Sequence, residues 1–364
     1  MTSKKIKWGI VGTGKAASNI AECFSLVTNA ELIGVCSRDL EKAKKFASDF
    51  NIKHAYGGYE DLLKNEEVDI IFVATPHHRH KQDCIHALNA NKAVLCEKPF
   101  ALNSQEAEEV IEVARKKNQF CMEGMWMRFF PLIQETKSRI ESGEIGDIQS
   151  IKADFGYPAY FDPNNRLFSH DMGGGSLLDR GIYTLSLAYY LLGKPASIKT
   201  VATIGQTGVD EQSAYLLHYE NGTIAELSSS LTSYGSNEAV IIGNKGKIWI
   251  REPFYRPHRT ELSYFTNKLK PDNTSFRKSD GVKERLKKIG ILRQVYQYVA
   301  PIIKKIRNKN TFIKTFPGNG YQFELIEVSQ CLLRGDKESR IMPLDETLEI
   351  SRMMDVIMKS WDKT

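Results

Sequence analysis

The sequence predicts an α/β protein whose N-terminal part forms a doubly wound parallel sheet. Two observations support this fold class. The apolar run "IKWGIV" leads into a glycine turn and then a helical pattern, and further apolar runs alternate with helical segments up to about residue 118. Strands that alternate with helices of this length are typical of a parallel sheet covered on both faces. Strand-like runs without long helices between them then predict a second, different sheet.

The elements follow in this order. Strands are predicted at 6–11, 30–36, 69–75 and 93–96, with helices over 40–50, 80–91 and 104–118 and a short apolar run near 121. Farther along, strands are predicted at 147–157, 197–205, 213–231 and 238–250, the last two interrupted by the hairpin-like turns "ENGT" and "GNKGK". A helix over 345–361 closes the chain.

Composition excludes several classes of protein. The chain has 364 residues, enough for two domains of ordinary size, and 41% of them are hydrophobic, which argues against disorder. No apolar stretch is long enough to span a membrane, and no signal-peptide pattern precedes the first strand. The six cysteines are scattered without C-x-x-C spacing. These features predict a cytoplasmic protein in a reducing compartment.

The first turn has the pattern of a dinucleotide-binding loop. Gly12, Gly14 and Ala17 form G-x-G-x-x-A between a strand and a helix, the context in which this motif binds a pyrophosphate. The residues predicted to line the cofactor here are Gly12, Thr13, Gly14, Lys15 and Ala16.

The end of the second strand favours NADP over NAD. The stretch "GVCSRDL" places Ser37 and Arg38 where NAD enzymes usually carry an acid for the ribose 2′-hydroxyl. A hydroxyl and a guanidinium suit a 2′-phosphate instead. Asp39 comes too late for the ribose and is predicted to cap the next helix. The alternative is that Arg38 is only a solvated surface residue.

The histidine-rich loop "ATPHHRH" ends the third predicted strand. A metal site is disfavoured, because neighbouring residues rarely converge on one ion and no distant Cys/His cluster completes a set. A loop at the carboxyl end of a strand is, however, where an open α/β sheet binds its ligand. Thr75, Pro76 and His80 are therefore predicted to contact the cofactor.

Lys98 follows the strand 93–96 in "AVLCEKPF" and so lies at the same edge of the sheet. Farther along, "GGGSLLDRGIY" places Asp179 and Tyr183 four residues apart, on one face of a helix. Hydride transfer at a carbon bearing oxygen needs a group that exchanges the alcohol proton. Tyr183 can do this if a cation lowers its pKa, and Lys98 is predicted to be that cation. The alternative for Lys98 is an ordinary strand-end lysine.

Two further segments remain open. Trp126 and Arg128 follow the apolar run near 121, close to where a nicotinamide ring would lie, and either bind cofactor or substrate or pack between domains. The loop 156–175 offers Arg166 or His170 as a substrate ligand, and the sequence does not choose between them.

These motifs together resemble the Gfo/Idh/MocA oxidoreductases. The matching stretches are "GIVGTGKAA", "VATPHHRH", "CEKPF" and "GGGSLLDRGIY", with the family's E-K-P motif on Glu97, Lys98 and Pro99. "EGMWMRFFP" and a tyrosine at 183 are most similar to the branch with dimeric dihydrodiol dehydrogenase and glucose–fructose oxidoreductase. The resemblance implies a Rossmann domain (1–123) and a C-terminal domain (124–364) with a large, open, mostly antiparallel sheet that often forms subunit contacts.

The resemblance also implies roles and a reaction. Asp179 becomes a substrate ligand or proton partner, and Glu97 joins the cofactor-binding set. The expected activity is NADP-dependent oxidation or reduction of a secondary alcohol on a small polyol, sugar, cyclitol or diol, in a homodimer or homotetramer. Two alternatives are a non-catalytic NADP-binding sensor and an enzyme that recycles a tightly held cofactor between two substrates.

A basic segment departs from the family pattern. Residues 268–314 contain 14 Lys/Arg against 3 Asp/Glu, so this segment carries +11 while the chain as a whole carries +6. An insertion over about 268–316 is expected to cover a pocket or a subunit contact. Contact with an anionic membrane surface is the less favoured reading, because Gly290 and Pro301 interrupt its apolar positions, and only charge speaks for nucleic acid.

Overall fold

The computed structural model describes residues 5–265 and 309–361, which form two β-sheets with helices packed on them. The six strands of the first sheet are Ile6–Val11 (β1), Ala30–Cys36 (β2), His54–Tyr56 (β3), Ile70–Val73 (β4), Ala93–Glu97 (β5) and Cys121–Gly124 (β6). Their order is β3-β2-β1-β4-β5-β6, and every neighbouring pair is parallel. The predicted doubly wound parallel sheet is confirmed.

Five helices connect these strands: Lys15–Cys23 (α1), Leu40–Asp49 (α2), Tyr59–Leu63 (α3), His80–Asn89 (α4) and Ser104–Lys117 (α5). Sequence patterns missed β3 and α3, which have only 3 and 5 residues. Segments this short contain too few residues to display a period of 2 or 3.6. The four longer helices end within two residues of where a prediction placed them or follow the glycine turn directly.

The second sheet has eight strands: Ile148–Gly156 (β7), Ser197–Ile204 (β8), Asp210–His218 (β9), Ile224–Ser230 (β10), Ala239–Gly243 (β11), Gly246–Ile250 (β12), Arg259–Tyr264 (β13) and Lys309–Ile313 (β14). Their order is β14-β13-β12-β11-β7-β10-β9-β8. Only the β7–β10 pair is parallel, so the mostly antiparallel sheet is confirmed. The end of the predicted basic insertion forms β14, whereas residues 266–308 lie outside the described residues.

The remaining helices are Pro131–Glu141 (α6), Ile182–Leu192 (α7), Gln322–Arg334 (α8) and Leu344–Trp361 (α9), and a π-helical turn, Leu177–Gly181, leads into α7. Helix α9 joins the two sheets. Its Asp355 accepts a 2.6 Å hydrogen bond from Ser104 of α5, and the Trp361 indole donates to Thr200 of β8 at 2.9 Å. Within 5–265 and 309–361, no helix combines the length and apolar character that crossing a bilayer requires.

Candidate active site

Lys98 lies directly after β5, at the carboxyl edge of the first sheet. Its ammonium donates hydrogen bonds to the backbone oxygen of Asp179 at 2.7 Å and to the carboxylate oxygen Oδ1 of the same residue at 3.2 Å. The two side chains are each only 12% exposed. The structure thus brings together, from positions 81 residues apart, two of the three residues predicted to be catalytic.

Asp179 is the centre of a group of cations. Its Oδ1 also accepts a hydrogen bond from Arg166 at 2.9 Å, and Arg180 lies 3.7 Å from Oδ2. Burial alone would raise the pKa of this carboxyl, but the positive charges of Lys98 and Arg166 outweigh burial and hold the pKa well below its ordinary value. Asp179 is therefore a carboxylate at neutral pH.

Tyr183, the third predicted catalytic residue, lies beside this pair. Its hydroxyl accepts a 2.7 Å hydrogen bond from the Trp126 indole, and the Lys98 ammonium lies 5.0 Å from the centre of its ring. Burial, and then the negative charge of Glu97, raise the Tyr183 pKa well above its ordinary value. The prediction that Lys98 lowers this pKa is wrong, because the ammonium pairs with Asp179 and faces the ring, not the hydroxyl.

Glu97 and Trp126 form the inner wall of the site. The Glu97 carboxyl accepts hydrogen bonds from the Tyr321 hydroxyl at 3.0 Å and from the Lys98 backbone N–H at 3.1 Å. The Tyr321 ring stacks on Trp126, with ring centres 4.6 Å apart. Both residues were predicted to bind cofactor, and in the structure both also fix the position of Lys98 or Tyr183.

Arg128 does not reach the predicted cofactor position. The residue is fully buried; its Nε donates to the Ser186 hydroxyl at 2.9 Å, and its Nη1 donates to the Ile341 carbonyl at 3.1 Å and to Glu346. A guanidinium held by these partners has no edge left for a phosphate. Of the two readings left open by the sequence, the structure corresponds to packing between chain segments.

The loop after β4 is tied to the loop after β5 by His80. Its two ring nitrogens lie 2.7 Å from the Pro99 carbonyl and 2.8 Å from the Thr75 carbonyl. Burial lowers the pKa of His80, so a neutral ring donates to one carbonyl at a time. The Thr75 hydroxyl donates to Asp83 at 2.8 Å. These two side chains bind protein groups, which leaves the exposed Pro76 and the loop backbone to face a ligand.

His77 and Arg166 join the site, although the sequence gave no preference for either. The Nδ1 of His77 lies 3.0 Å from the Gly173 carbonyl, and its Nε2 lies 3.4 Å from Nη1 of Arg166. Burial lowers the pKa of His77 to about 3, so the neutral ring donates to the carbonyl and accepts from Arg166. His170, the other candidate from this loop, is 77% exposed and pairs with Asp171.

Asp210 anchors the π-helical turn that carries Asp179. Its Oδ2, at the start of β9, accepts hydrogen bonds from the hydroxyls of Ser176 at 2.6 Å and Ser213 at 2.8 Å, and from the Leu177 N–H at 2.9 Å. Burial raises the pKa of Asp210 to about 6 despite these donors. Nothing in the local sequence marks this aspartate, because its partners come from other segments.

The glycine turn after β1 fits a dinucleotide phosphate. Gly12 has φ +108°, and a Cβ there would lie 2.5 Å from the Ala74 carbonyl oxygen, so only glycine is accommodated. A Cβ on Gly14 would meet no atom within 4 Å, which leaves open space in front of the N-terminus of α1. No side chain caps that helix, so its first N–H groups are available to an anion. Thr13, Lys15 and Ala16 border the same space.

The end of β2 also fits the prediction for the ribose. The Asp39 carboxylate accepts from the N–H groups of Glu41 and Lys42 and so caps α2, as predicted. Arg38 is exposed, and within the described residues it forms no hydrogen bond or ion pair. Its guanidinium is therefore available to a ligand beside Ser37.

Among the described residues, no three His, Cys, Asp or Glu side chains are grouped closely enough to hold a metal ion. The six cysteines are all free and buried. The acids and histidines named above are instead held by hydrogen bonds and by Lys98, Arg166 and Arg180.

Comparison with known proteins agrees with this geometry. A family model described as "Oxidoreductase family, NAD-binding Rossmann fold" matches residues 6–125, and the GFO/IDH/MocA C-terminal domain model matches residues 133–249. The chain is 34% identical over 353 residues to trans-1,2-dihydrobenzene-1,2-diol dehydrogenase of Xenopus tropicalis, covering 96% of each protein. It is 31% identical over 359 residues to the human enzyme of that name, covering 98% of this chain and 96% of the relative.

This chain belongs to the Gfo/Idh/MocA oxidoreductase family. Solved structures agree on the fold. An aldose-aldose oxidoreductase from Caulobacter crescentus superposes with a TM-score of 0.80 at 22% identity, covering 99% of this chain and 98% of that one. The 3-ketoreductase KijD10 from Actinomadura kijaniata, solved with NADP and TDP-benzene, gives 0.75 at 23% identity over 98% of both chains. The family predicted from the motifs is confirmed.

Proposed function

We propose that this Gfo/Idh/MocA protein is an NADP-dependent oxidoreductase that acts on a secondary alcohol, or the matching ketone, of a sugar, cyclitol or trans-dihydrodiol. One observation carries the proposal. Lys98, Asp179 and Tyr183 converge at the carboxyl edge of a sheet whose first turn is open to a dinucleotide phosphate. A non-catalytic NADP sensor would need no such group of proton-exchanging and charged side chains.

The site residues divide the work between proton transfer and positioning. When bound, the nicotinamide of NADP supplies or accepts the hydride. Tyr183 is protonated at neutral pH and accepts a hydrogen bond from Trp126, so its own proton is available to a substrate oxygen. Lys98 has three N–H donors, of which Asp179 occupies two. Its third donor can orient the same substrate oxygen, and the two side chains together stabilise charge that develops there.

The preference for NADP rests on Arg38. The relatives' names do not state a cofactor, but the KijD10 structure contains NADP. An exposed guanidinium without a protein partner at the end of β2 suits a 2′-phosphate, and an acid that would select the ribose hydroxyls of NAD is missing there. We therefore place Ser37 and Arg38 around the 2′-phosphate.

The experiment that tests this function measures NADPH formation and consumption by the purified protein with a panel of sugars, inositols and vicinal diols. We expect turnover with at least one compound, and faster turnover with NADP(H) than with NAD(H). Protein that binds NADPH but turns over no compound in either direction would instead be a sensor. Nicotinamide absorbance in the purified protein before any is added would identify a tightly held, recycled cofactor.

We further propose a homodimer or homotetramer built on the open face of the second sheet, in a cytoplasmic, reducing compartment. That face exposes Val201 (67%), Leu216 (51%) and Ile224 (43%). Beside them lies a depression of about 540 Å³ lined in part by Val240 and Trp249, far from Lys98. An apolar sheet face of this kind is typical of a subunit contact.

A further inference from the structure

Two cationic donors share one oxygen atom of Asp179. Lys98 Nζ lies 3.2 Å and Arg166 Nη1 lies 2.9 Å from the same Oδ1. The two nitrogen atoms are therefore at most about 6 Å apart. Two hydrogen bonds of about 2.9 Å each, one to either donor, would reach oxygens on neighbouring carbons of one small molecule.

Arg166 presents its unused donors towards solvent. Its Nη1 is engaged by Asp179 and faces His77 Nε2, whereas Nε and Nη2 have no partner within the described residues. The side chain is 47% exposed, against 12% for Lys98 and 9% for Arg180. Arg180 also differs in being held by the carbonyls of Tyr157 and Ser230. Arg166 is thus the cation of this group that a ligand can reach with a free guanidinium edge.

The orientation of that edge is fixed before a ligand arrives. Asp179 and His77 hold the Nη1 end from two sides, and the buried His77 ring is itself held by the Gly173 carbonyl. A guanidinium fixed at one end loses little further freedom on binding, so its remaining donors discriminate among ligands effectively.

We propose that Arg166 is a specificity-determining residue that binds a second substrate oxygen, next to the oxygen at the reacting carbon. This inference rests on the proposed oxidoreductase function. It narrows the substrates to compounds with an oxygen on the neighbouring carbon: vicinal diols, 2-hydroxyketones and, with a carboxylate as the acceptor, 2-hydroxy acids. A simple alcohol or ketone leaves the Arg166 edge without its partner, and a site built to bind a hydroxyl discriminates against the analogue that lacks it.

The test compares matched substrates in the intact protein with NADP(H). We expect kcat/KM for trans-1,2-cyclohexanediol to exceed that for cyclohexanol by about 10- to 100-fold, the range for a hydrogen bond to a charged group. The pair 2-hydroxycyclohexanone and cyclohexanone gives the same comparison for reduction. Lactate against 1,2-propanediol tells whether a carboxylate or a hydroxyl is the preferred second oxygen.

Variants then assign the preference to Arg166. Arg166→Gln should bring the diol-to-alcohol ratio close to one, and Arg166→Lys should restore part of it. His170→Gln, from the same loop but with an exposed side chain, should leave the ratio unchanged. Thermal unfolding and NADPH titration of each variant verify that it is folded. Equal use of diols and simple alcohols by the unaltered protein, or a ratio that survives in Arg166→Gln, would overturn the inference and leave the proposed function standing. Failure of that function appears instead as no turnover with any compound.

Discussion

Lys98 and Tyr183 do different work in this site. Asp179 holds the Lys98 ammonium through its backbone oxygen and its carboxylate, so the lysine is charged and fixed in position. The Tyr183 hydroxyl is buried and keeps its proton at neutral pH. This division differs from a tyrosinate activated by a lysine. A protonated tyrosine suits donation to a ketone, so proton transfer limits the oxidation direction more than the reduction direction.

Substitution tests both roles. Lys98→Ala and Tyr183→Phe should each lower kcat by roughly 10²–10⁴-fold, the usual contribution of general acid–base groups, while the affinity for NADPH changes little. Phenylalanine preserves the ring that packs against Phe155, 5.3 Å away between ring centres. Lys81→Ala, on the surface of α4, is the matched control and should leave kcat unchanged. Steady-state kinetics and fluorescence titration with NADPH give the two quantities, and near-normal turnover in either site variant would remove that residue from the mechanism.

Arg38 is expected to decide cofactor choice. Arg38→Ala should weaken NADPH binding by about 10-fold or more, because a charge-assisted hydrogen bond to the 2′-phosphate is lost, and should leave NADH binding almost unchanged. Dissociation constants for both cofactors, measured on the same variant, check this. The neighbouring Lys42→Ala, also exposed, serves as control. Equal losses for NADPH and NADH would withdraw the assignment of NADP.

At the scale of elements, the π-helical turn Leu177–Gly181 joins the chemistry to the second sheet. The turn presents both the backbone oxygen and the carboxylate of Asp179 to Lys98, and Asp210 of β9 fixes its beginning through Ser176 and the Leu177 N–H. Single π-turns are frequently found at functional sites. The position of Asp179 therefore depends on a strand that contributes no group to the reaction.

Asp210→Asn should impair catalysis through this turn. The amide has one acceptor oxygen for three donors, so we expect kcat to fall by about 10-fold or more, while the Kd for NADPH, bound on the other sheet, stays constant. Asp154→Asn, on the neighbouring strand β7, is the control. Ser176→Ala removes one of the three donors and should give a smaller loss of kcat than Asp210→Asn. A variant whose kcat is unchanged would separate Asp210 from the site.

Local patterns predicted the elements better than they predicted the partners of individual side chains. The strands, the glycine turn and the Asp39 cap depend on neighbours within a few residues, so the sequence contains their signal. The partners of Arg128 and Glu97 come from more than 200 residues away, at Ile341, Glu346 and Tyr321. No spacing rule connects such positions. For the same reason Arg166 and His170 looked equivalent until the fold placed one of them beside Asp179.

At the scale of the whole molecule, the second sheet is unequally covered. Helices α7 and α9 pack on one face, where Tyr215 and Leu217 of β9 are buried. The opposite face carries Leu216 and Val201, both more than half exposed. Because successive residues of a strand point to opposite faces, this alternation leaves a broad surface without a covering layer in the described part of the chain.

A second copy of the chain is the covering layer that we expect. Leu216→Glu should break the contact, because a charge on an interface strand loses its hydration without gaining a partner. Sedimentation or light scattering should then report the mass of one chain for this variant and a multiple of it for the unaltered protein. Glu220→Ala, in the exposed turn after β9, should assemble normally. Lys98 lies on the other sheet, so the separated Leu216→Glu chain should retain turnover. An unaltered protein that runs as a single chain at micromolar concentration would show that this face does not form the contact.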